Sequence, residues 1–211
     1  LIYNGTVYDG TGEAPYLGSI GITDDKITYV GKNTRFEADT IIDATNLSIS
    51  PGFINMLSWG YSSLMKDGRS LSDLKQGVTL EVFGEGVSPG PYVQEGERFS
   101  FKHAMEALEN SGVSTNIASF LGATTARMME VGFENRPATE KEMEKMKQMV
   151  QESMEQGAMG IGSSLIYAPA DYAPTQELVE LCKVASKNGG MYISHMRNED
   201  NLLMEALEEL I

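Results

Sequence analysis

The feature of this sequence that most constrains its fold is an alternation of apolar, strand-like runs with segments of helical periodicity, which begins at Ile49. This alternation is typical of βαβ units and therefore of a parallel sheet. About five such units favour an α/β fold, the N-terminal portion of a (β/α)₈ TIM-type barrel over residues 51–211. The candidate strands are Ile49–Asn55, Val78–Phe83, Val113–Leu121, Ala158–Ser163 and Met191–His195.

The longest predicted helix has clear signals at both ends. Thr139 is followed three residues later by Glu142, the spacing of a capping box that satisfies free N-terminal amides. Methionines then recur at helical intervals as expected core filler, until Gly157 ends the helix. Three further helices are expected, over Phe101–Leu108, from about residue 174 to 188, and over Asn201–Ile211.

Residues 1–50 differ from the rest of the chain, because short β-branched and aromatic runs alternate there with turn residues. Asn4-Gly5 is expected to separate the first two strands, and Asp24-Asp25 is expected to turn a hairpin. Thr40–Asp43 predicts another strand. The sequence therefore predicts a small antiparallel all-β module as the first domain.

Composition excludes several classes of function. The 211 residues include 16 Lys and Arg against 30 Asp and Glu, so the formal charge is −14 and a nucleic-acid partner is not expected. No apolar run in the sequence approaches the roughly 18 residues that span a bilayer. The single cysteine, Cys182, cannot form an internal disulfide.

Eight units close a barrel, and this sequence predicts about five. We therefore expect the chain to be the N-terminal part of a longer protein, with two open sheet edges through which it can self-associate. The expected compartment is the cytoplasm. A removed N-terminal leader is the alternative, because the chain starts at Leu1 rather than at a methionine.

The residues that follow each strand are the candidates for chemistry, because barrel enzymes act at the carboxyl ends of their strands. After Val78–Phe83, alternation places Glu81, Phe83 and Glu85 on one face. A carboxylate inside a barrel requires a cation, an arginine or a metal ion as its partner. The alternative for Glu85 is a solvated position between its two flanking glycines.

The fifth candidate strand ends at His195, and Arg197 and Glu199 follow in a loop. A neutral imidazole can bind zinc, and the guanidinium of Arg197 can bind a carboxylate. The alternative is a core histidine bonded to backbone, with Arg197 and Glu199 paired at the rim. Tyr167, after the fourth strand, places a hydroxyl where a substrate can be met, or it packs an ordinary loop. His103 is expected on a helix surface without a function.

Together, several of these motifs resemble the amidohydrolase superfamily. The stretch Tyr192–Arg197 narrows the resemblance to the D-aminoacylase (N-acyl-D-amino-acid deacylase) branch. The resemblance implies a small β-sandwich domain, here represented by residues 1–50, beside a metal-dependent (β/α)₈ barrel. The other motifs that carry it are Asn4–Gly12, Pro51–Asn55, Gly77–Thr79 and Gly157–Tyr167.

The resemblance also implies a reaction, hydrolysis of the amide bond of a small-molecule N-acyl-D-amino acid. One zinc ion is expected to polarise the carbonyl and activate water. His195 matches the family's metal-binding histidine, and Tyr167 matches the tyrosine that contacts the substrate carboxylate. Glu85 occupies the position of the family's metal-binding cysteine, and its oxygen is an acceptable zinc ligand. Arg197 is assigned to the substrate as well.

Besides Glu85, the chain departs from the family at two places. The first strand of the family ends in His-x-His, where this chain has Leu57–Trp59, and Ala123 replaces a further histidine. The remaining metal ligand and the catalytic Asp are expected beyond residue 211, so the fragment is expected to be inactive. Two alternatives follow: a non-catalytic homologue used for binding or assembly, and a related amidohydrolase that acts on a cyclic amide or a dipeptide.

Overall fold

A computed structural model describes residues 1–33 and 36–211 of the chain. These residues divide into two compact units, Leu1–Phe53 and Ile54–Ile211. The sequence places the domain boundary between residues 50 and 51. Within the described residues, no helix combines the length and the apolar character that crossing a membrane requires.

The first unit contains one five-stranded sheet. Its strands β1–β5 lie in the order β3-β2-β1-β4, and β5 also pairs with β1. The hairpin contacts β1–β2 and β2–β3 are antiparallel, but β4 and β5 run parallel to β1. The predicted all-antiparallel module is therefore wrong, because β4 and β5 pair with the edge of β1 that β2 leaves free and run in the direction of β1. The strands are Ile2–Val7, Tyr16–Thr23, Lys26–Gly31, Ile42–Asp43 and Ser48–Ile49.

The predicted turn at Asn4-Gly5 is also wrong, since both residues lie inside the continuous strand β1. Asn4 has a φ of 60°, and the pairing of β1 with β2 shifts register between Ile2 and Gly5. A Cβ atom on Gly5 would collide with the side chain of Ile49. The Asn-Gly pair therefore provides a bulge and a close strand contact, rather than a reversal of the chain.

The second unit contains two three-stranded sheets and a short hairpin. One sheet has the order β10-β7-β6, and the other has the order β11-β12-β13. The pairs β10–β7, β11–β12 and β12–β13 are all parallel, as the βαβ pattern predicts. β8 (Tyr92–Gln94) and β9 (Glu97–Phe99) form the hairpin. The sheet strands are β6 Phe53–Asn55, β7 Val78–Phe83, β10 Asn116–Ser119, β11 Leu121–Gly122, β12 Gly160–Ser164 and β13 Met191–His195.

Two predicted strands are each divided in the structure. The predicted strand Ile49–Asn55 is divided around Pro51, which has no N–H to donate to a ladder. Ile49 ends β5 in the sheet of the first unit, and Phe53–Asn55 forms β6. The predicted strand Val113–Leu121 is divided at Phe120, whose N–H donates to the carbonyl of Phe83. Leu121 then pairs with Ile161 in the other sheet.

The helices of the second unit follow the strand order. Thr139 caps α5 through the predicted capping box, since its Oγ1 accepts from the N–H of Glu142 and the Glu142 carboxylate accepts from the N–H of Thr139. Gly157, with a φ of 100°, follows the end of this helix. Three of the helices, α1, α2 and α4, were not predicted from the sequence. The helices are α1 Tyr61–Leu64, α2 Leu71–Leu74, α3 Phe101–Ser111, α4 Ala123–Glu130, α5 Glu140–Glu155, α6 Thr175–Lys187 and α7 Leu203–Leu210.

The main core lies between α4, α5 and α6 and the sheet β11-β12-β13. Met146 and Met149 are buried in it, as expected for core filler, together with Ile161 of β12. An ion pair that the sequence did not predict joins two of the helices, because Nη1 of Arg127 in α4 lies 2.8 Å from Oε1 of Glu177 in α6. The helices and the sheet thereby hold β12 and β13 in place for the residues at their carboxyl ends.

Candidate functional site

Three chain segments meet at the carboxyl ends of the parallel strands. β12 ends at Ser164 and β13 ends at His195, and these two residues are partners in the ladder. The loop after β7 brings Glu85 to the same place. Gly86, with a φ of 86°, permits this approach, because a Cβ atom there would lie 2.5 Å from the Ser164 hydroxyl oxygen.

The structure brings together the two residues that the sequence assigns to a metal. Oε2 of Glu85 lies 3.7 Å from Nδ1 of His195, and their side chains are 13% and 26% exposed. The hydroxyl of Ser164 donates to the backbone carbonyl of Glu85 at 3.1 Å and lies 3.4 Å from its Oε2. On the other side of the ring, Nε2 of His195 lies 3.3 Å from Oε1 of Glu199. The imidazole therefore lies between two carboxylates.

These donors fit a zinc ion in type but not in number. Carboxylate oxygen and imidazole nitrogen are both common zinc ligands, and a tetrahedral ion takes four. Among the described residues, no group of three or more His, Cys, Asp and Glu side chains is arranged to hold a metal. Glu85 and His195 therefore offer part of a coordination shell.

Tyr167 lies next to this pair. The centre of its ring is 5.5 Å from that of the His195 imidazole, and the two rings are tilted by 55°. The side chain is exposed, and the N–H of Tyr167 donates to the carbonyl of Ser164. The phenol is therefore free to meet a molecule that binds at the Glu85–His195 pair.

Arg197 has a different environment from the one that the sequence suggests. Its Nε and Nη2 donate to both carboxylate oxygens of Glu209, at 2.8 and 2.7 Å. Nη1 and Nη2 also donate to the carbonyls of Asp171 and Ala173. The hydrogen bonds from Arg197 lower the pKa of Glu209. The alternative pairing of Arg197 with Glu199 is wrong, because Arg197 binds Glu209, whereas Glu199 lies beside His195.

The carboxylate of Glu81 accepts hydrogen bonds, but none of the donors is a cation. Glu81 is only 2% exposed, and its carboxylate accepts from the hydroxyls of Ser58 at 2.7 Å, Ser70 at 2.5 Å and Thr115 at 2.9 Å. The expectation of an arginine or a metal partner is therefore wrong for Glu81. The alternation that the sequence extends to Glu85 also ends after Phe83, since Gly84 has a φ of 94°.

The three hydroxyls around Glu81 could not be identified from the sequence. Ser58 follows β6, Ser70 precedes α2 and Thr115 precedes β10, so residues far apart along the chain supply them. Serine and threonine are common at such loop positions for local reasons, and nothing in their spacing marks a shared acceptor. Only the packing of the strands brings them together.

The positions that depart from the family also have defined surroundings. Leu57 and Trp59 are exposed, whereas Ser58 between them is buried. Ala123 is buried at the start of α4. His103 lies exposed on α3, with its ring 4.8 Å from that of Phe99, and no candidate site residue contacts it among the interactions described.

Comparisons with known proteins identify relatives that cover this chain throughout. A D-aminoacylase from Alcaligenes xylosoxydans xylosoxydans is 30% identical over 99% of this chain and 46% of its own length. A solved D-aminoacylase structure, described for the functional role of its binuclear metal centre, is 32% identical with a TM-score of 0.87, over 99% of this chain and 47% of that one. No protein-family model matches the chain.

A third relative is the structure of N-acyl-D-glutamate deacylase from Bordetella bronchiseptica, complexed with zinc and a phosphonate inhibitor that mimics the tetrahedral intermediate. It is 27% identical with a TM-score of 0.89, over 99% of this chain and 47% of that one. The chain thus spans about half the length of the relatives that it matches. Sequence and fold together confirm, over the whole chain, its resemblance to the D-aminoacylase branch of the amidohydrolases.

Proposed function

We propose that this protein is a metal-dependent hydrolase that cleaves the amide bond of N-acyl-D-amino acids, which gives a carboxylate and a free D-amino acid. The observation that carries the proposal is the approach of Glu85 to His195 at the carboxyl ends of β7 and β13. The relatives named D-aminoacylase and N-acyl-D-glutamate deacylase support the reaction class. The six strands of the two three-stranded sheets are, in this proposal, part of a (β/α)₈ barrel, and the first unit is part of a small β-sandwich.

Glu85 and His195 are the proposed ligands of one zinc ion. When bound, zinc supplies Lewis-acid polarisation of the substrate carbonyl and an activated water. Glu199 favours the proton of the imidazole on Nε2, so the lone pair of Nδ1 faces Glu85. A single ion is proposed, because Leu57 and Trp59 carry no ligand atoms where the family has two histidines.

Tyr167 is the proposed contact for the substrate carboxylate, since its phenol is exposed beside His195. Arg197 can bind the same carboxylate only by exchanging Glu209 for it, because its guanidinium already binds both oxygens of that residue. In the structure as it stands, Arg197 instead anchors the segment after β13 to α7. The catalytic acid or base is not assigned to a described residue.

Zinc binding tests this proposal directly. We expect the full-length protein to bind zinc and to hydrolyse N-acyl-D-amino acids, and we expect Glu85→Ala and His195→Ala each to lower zinc affinity at least about 100-fold. Competition with a chelator measures the affinity, and Glu106→Ala, an exposed residue of α3, is the matched control. Unchanged zinc affinity in both site variants would overturn the metal assignment.

Measurements of zinc binding, ligand binding and hydrolysis also separate the two alternatives, a binding homologue and a related amidohydrolase. A metal-free protein that binds N-acyl-D-amino acids without hydrolysing them indicates a binding homologue, an alternative that the absent histidines at positions 57 and 59 favour. Zinc-dependent hydrolysis confined to cyclic amides or dipeptides indicates a related amidohydrolase. Either outcome contradicts the proposed deacylase.

A further inference from the structure

A separate cleft lies beside the Glu85 loop and has no role in the metal site described above. Its volume is about 210 Å³. Trp59 and Tyr61 line it from the segment after β6, and Val87 and Pro89 line it from the segment after β7. Phe83, the last residue of β7, also lines it. No charged side chain is among the residues that line this cleft.

Two of the hydroxyl groups that line the cleft are already engaged. The hydroxyl of Ser58 donates to Glu81 at 2.7 Å, and the hydroxyl of Ser88 donates to the carbonyl of Gly90 at 2.6 Å. The Ser88 oxygen also accepts from the N–H of Gly122. Two of the three serines that line the cleft therefore have their hydroxyl protons committed elsewhere, and its aromatic and aliphatic surfaces dominate what a ligand meets.

The backbone on either side of Trp59 is held by hydrogen bonds, and the indole itself is 60% exposed. The N–H of Ser58 donates to the carbonyl of Val82, and the N–H of Gly60 donates to the hydroxyl of Ser58. This arrangement presents a large amphipathic ring at the surface with its backbone already ordered. An ordered, exposed aromatic side chain can bury much apolar area on a ligand at a low cost in conformational entropy.

The position of the cleft indicates which part of the proposed substrate would reach it. The scissile carbonyl joins the acyl chain to the D-amino acid, whose carboxylate is assigned to Tyr167 on the β12 side. The loop from Gly84 to Pro89 carries Glu85 and then leads to the cleft on the β6–β7 side. With the carbonyl at Glu85, the acyl chain is the part that extends toward Trp59.

We propose that Trp59, Tyr61 and Val87 form an acyl-chain subsite that binds an apolar acyl group longer than acetyl. This inference rests on the proposed deacylase function and deepens it by naming the substrate class. It assigns a role to Trp59, the residue that replaces a metal-binding histidine of the family.

Binding measured against acyl length tests the subsite. N-acetyl-, N-butanoyl-, N-hexanoyl- and N-octanoyl-D-alanine are titrated into the full-length protein stripped of zinc, so that they are not hydrolysed. Calorimetry and the part of the fluorescence that Trp59→Phe removes are the readouts. We expect affinity to rise up to about fourfold per added methylene until the cleft is filled. The emission of Trp59 should shift to shorter wavelength as the acyl chain lengthens, because the indole loses water contact.

Variants distinguish the subsite from general hydrophobic binding. Trp59→Ala, followed by calorimetry, and Val87→Thr, followed by fluorescence, should each reduce the gain in affinity per methylene. Phe133→Ala removes an exposed aromatic ring outside the cleft and should change nothing. Circular dichroism checks that each variant is folded.

Two kinds of failure are separable in this experiment. If N-acetyl-D-alanine and zinc bind but affinity is independent of acyl length, or if Trp59→Ala keeps the full gain per methylene, the subsite is wrong and the deacylase proposal stands. If zinc and every N-acyl-D-alanine fail to bind, the deacylase proposal is wrong and the subsite falls with it.

Discussion

Glu81 and Glu85 lie four residues apart along one strand and its following loop, and their environments differ completely. Glu81 is closed off by the hydroxyls of Ser58, Ser70 and Thr115. Glu85 is partly exposed and lies beside His195. A carboxylate whose lone pairs are already engaged by protein donors holds segments together, whereas one that lies 3.7 Å from an imidazole nitrogen can share a cation with it. Partners, rather than burial, separate the structural carboxylate from the candidate ligand.

Removal of the Glu81 carboxylate gives the strongest test of the difference between Glu81 and Glu85. Glu81→Ala leaves three hydroxyl groups without their acceptor and opens a cavity, so we expect the free energy of unfolding to fall by about 3 kcal/mol. Urea denaturation followed by circular dichroism measures the loss. Glu85→Ala, the matched control, should cost less than about 1 kcal/mol, because its carboxylate has few protein partners. Equal losses in the two variants would contradict the distinction.

The second prediction concerns Glu199, which lies beside His195 of the Glu85–His195 pair. Glu199→Gln removes the negative charge near Nε2 of His195 and weakens the preference for a proton on that atom. We expect zinc affinity to fall about tenfold, the lower end of the range for groups that orient a metal-binding histidine. Chelator competition measures it, with the exposed Glu205→Gln as a control for charge alone. An unchanged affinity would remove Glu199 from the site.

The smallest effect is expected for a carboxylate that does have a cationic partner. Arg197 holds the pKa of Glu209 below its usual value, so the pair stabilises the folded state at neutral pH. This contribution is lost as the pH falls through the lowered pKa of Glu209, because protonation then removes the charge. Since the pair is partly exposed, we expect it to contribute at most about 1 kcal/mol.

Denaturation midpoints measured from neutral to acidic pH test this third prediction. Glu209→Gln should be less stable than the unmodified chain at neutral pH, and the difference should shrink at low pH. A difference that is independent of pH would show that the ion pair is not its source.

The strands and helices were predictable where local signals coincide. Val78–Phe83 and Met191–His195 are apolar runs with flanking glycines or polar residues, and both match the structure in type and bounds. The capping box at Thr139 is similarly local. The division at Phe120 was not predictable, because no glycine or proline stands at or directly beside it and the break depends on a contact with Phe83 of another strand.

The sequence by itself determined the parallel α/β pattern of the second unit, the long capped helix and the identity of Glu85, His195 and Tyr167 as candidates, because these follow from periodicity, capping and motifs within short stretches of chain. Tertiary structure decided which candidates meet. It placed Glu85 beside His195, bound Arg197 to Glu209 and surrounded Glu81 with three hydroxyls. Those outcomes depend on distances between residues that are remote in sequence, and a local pattern carries no information about such distances.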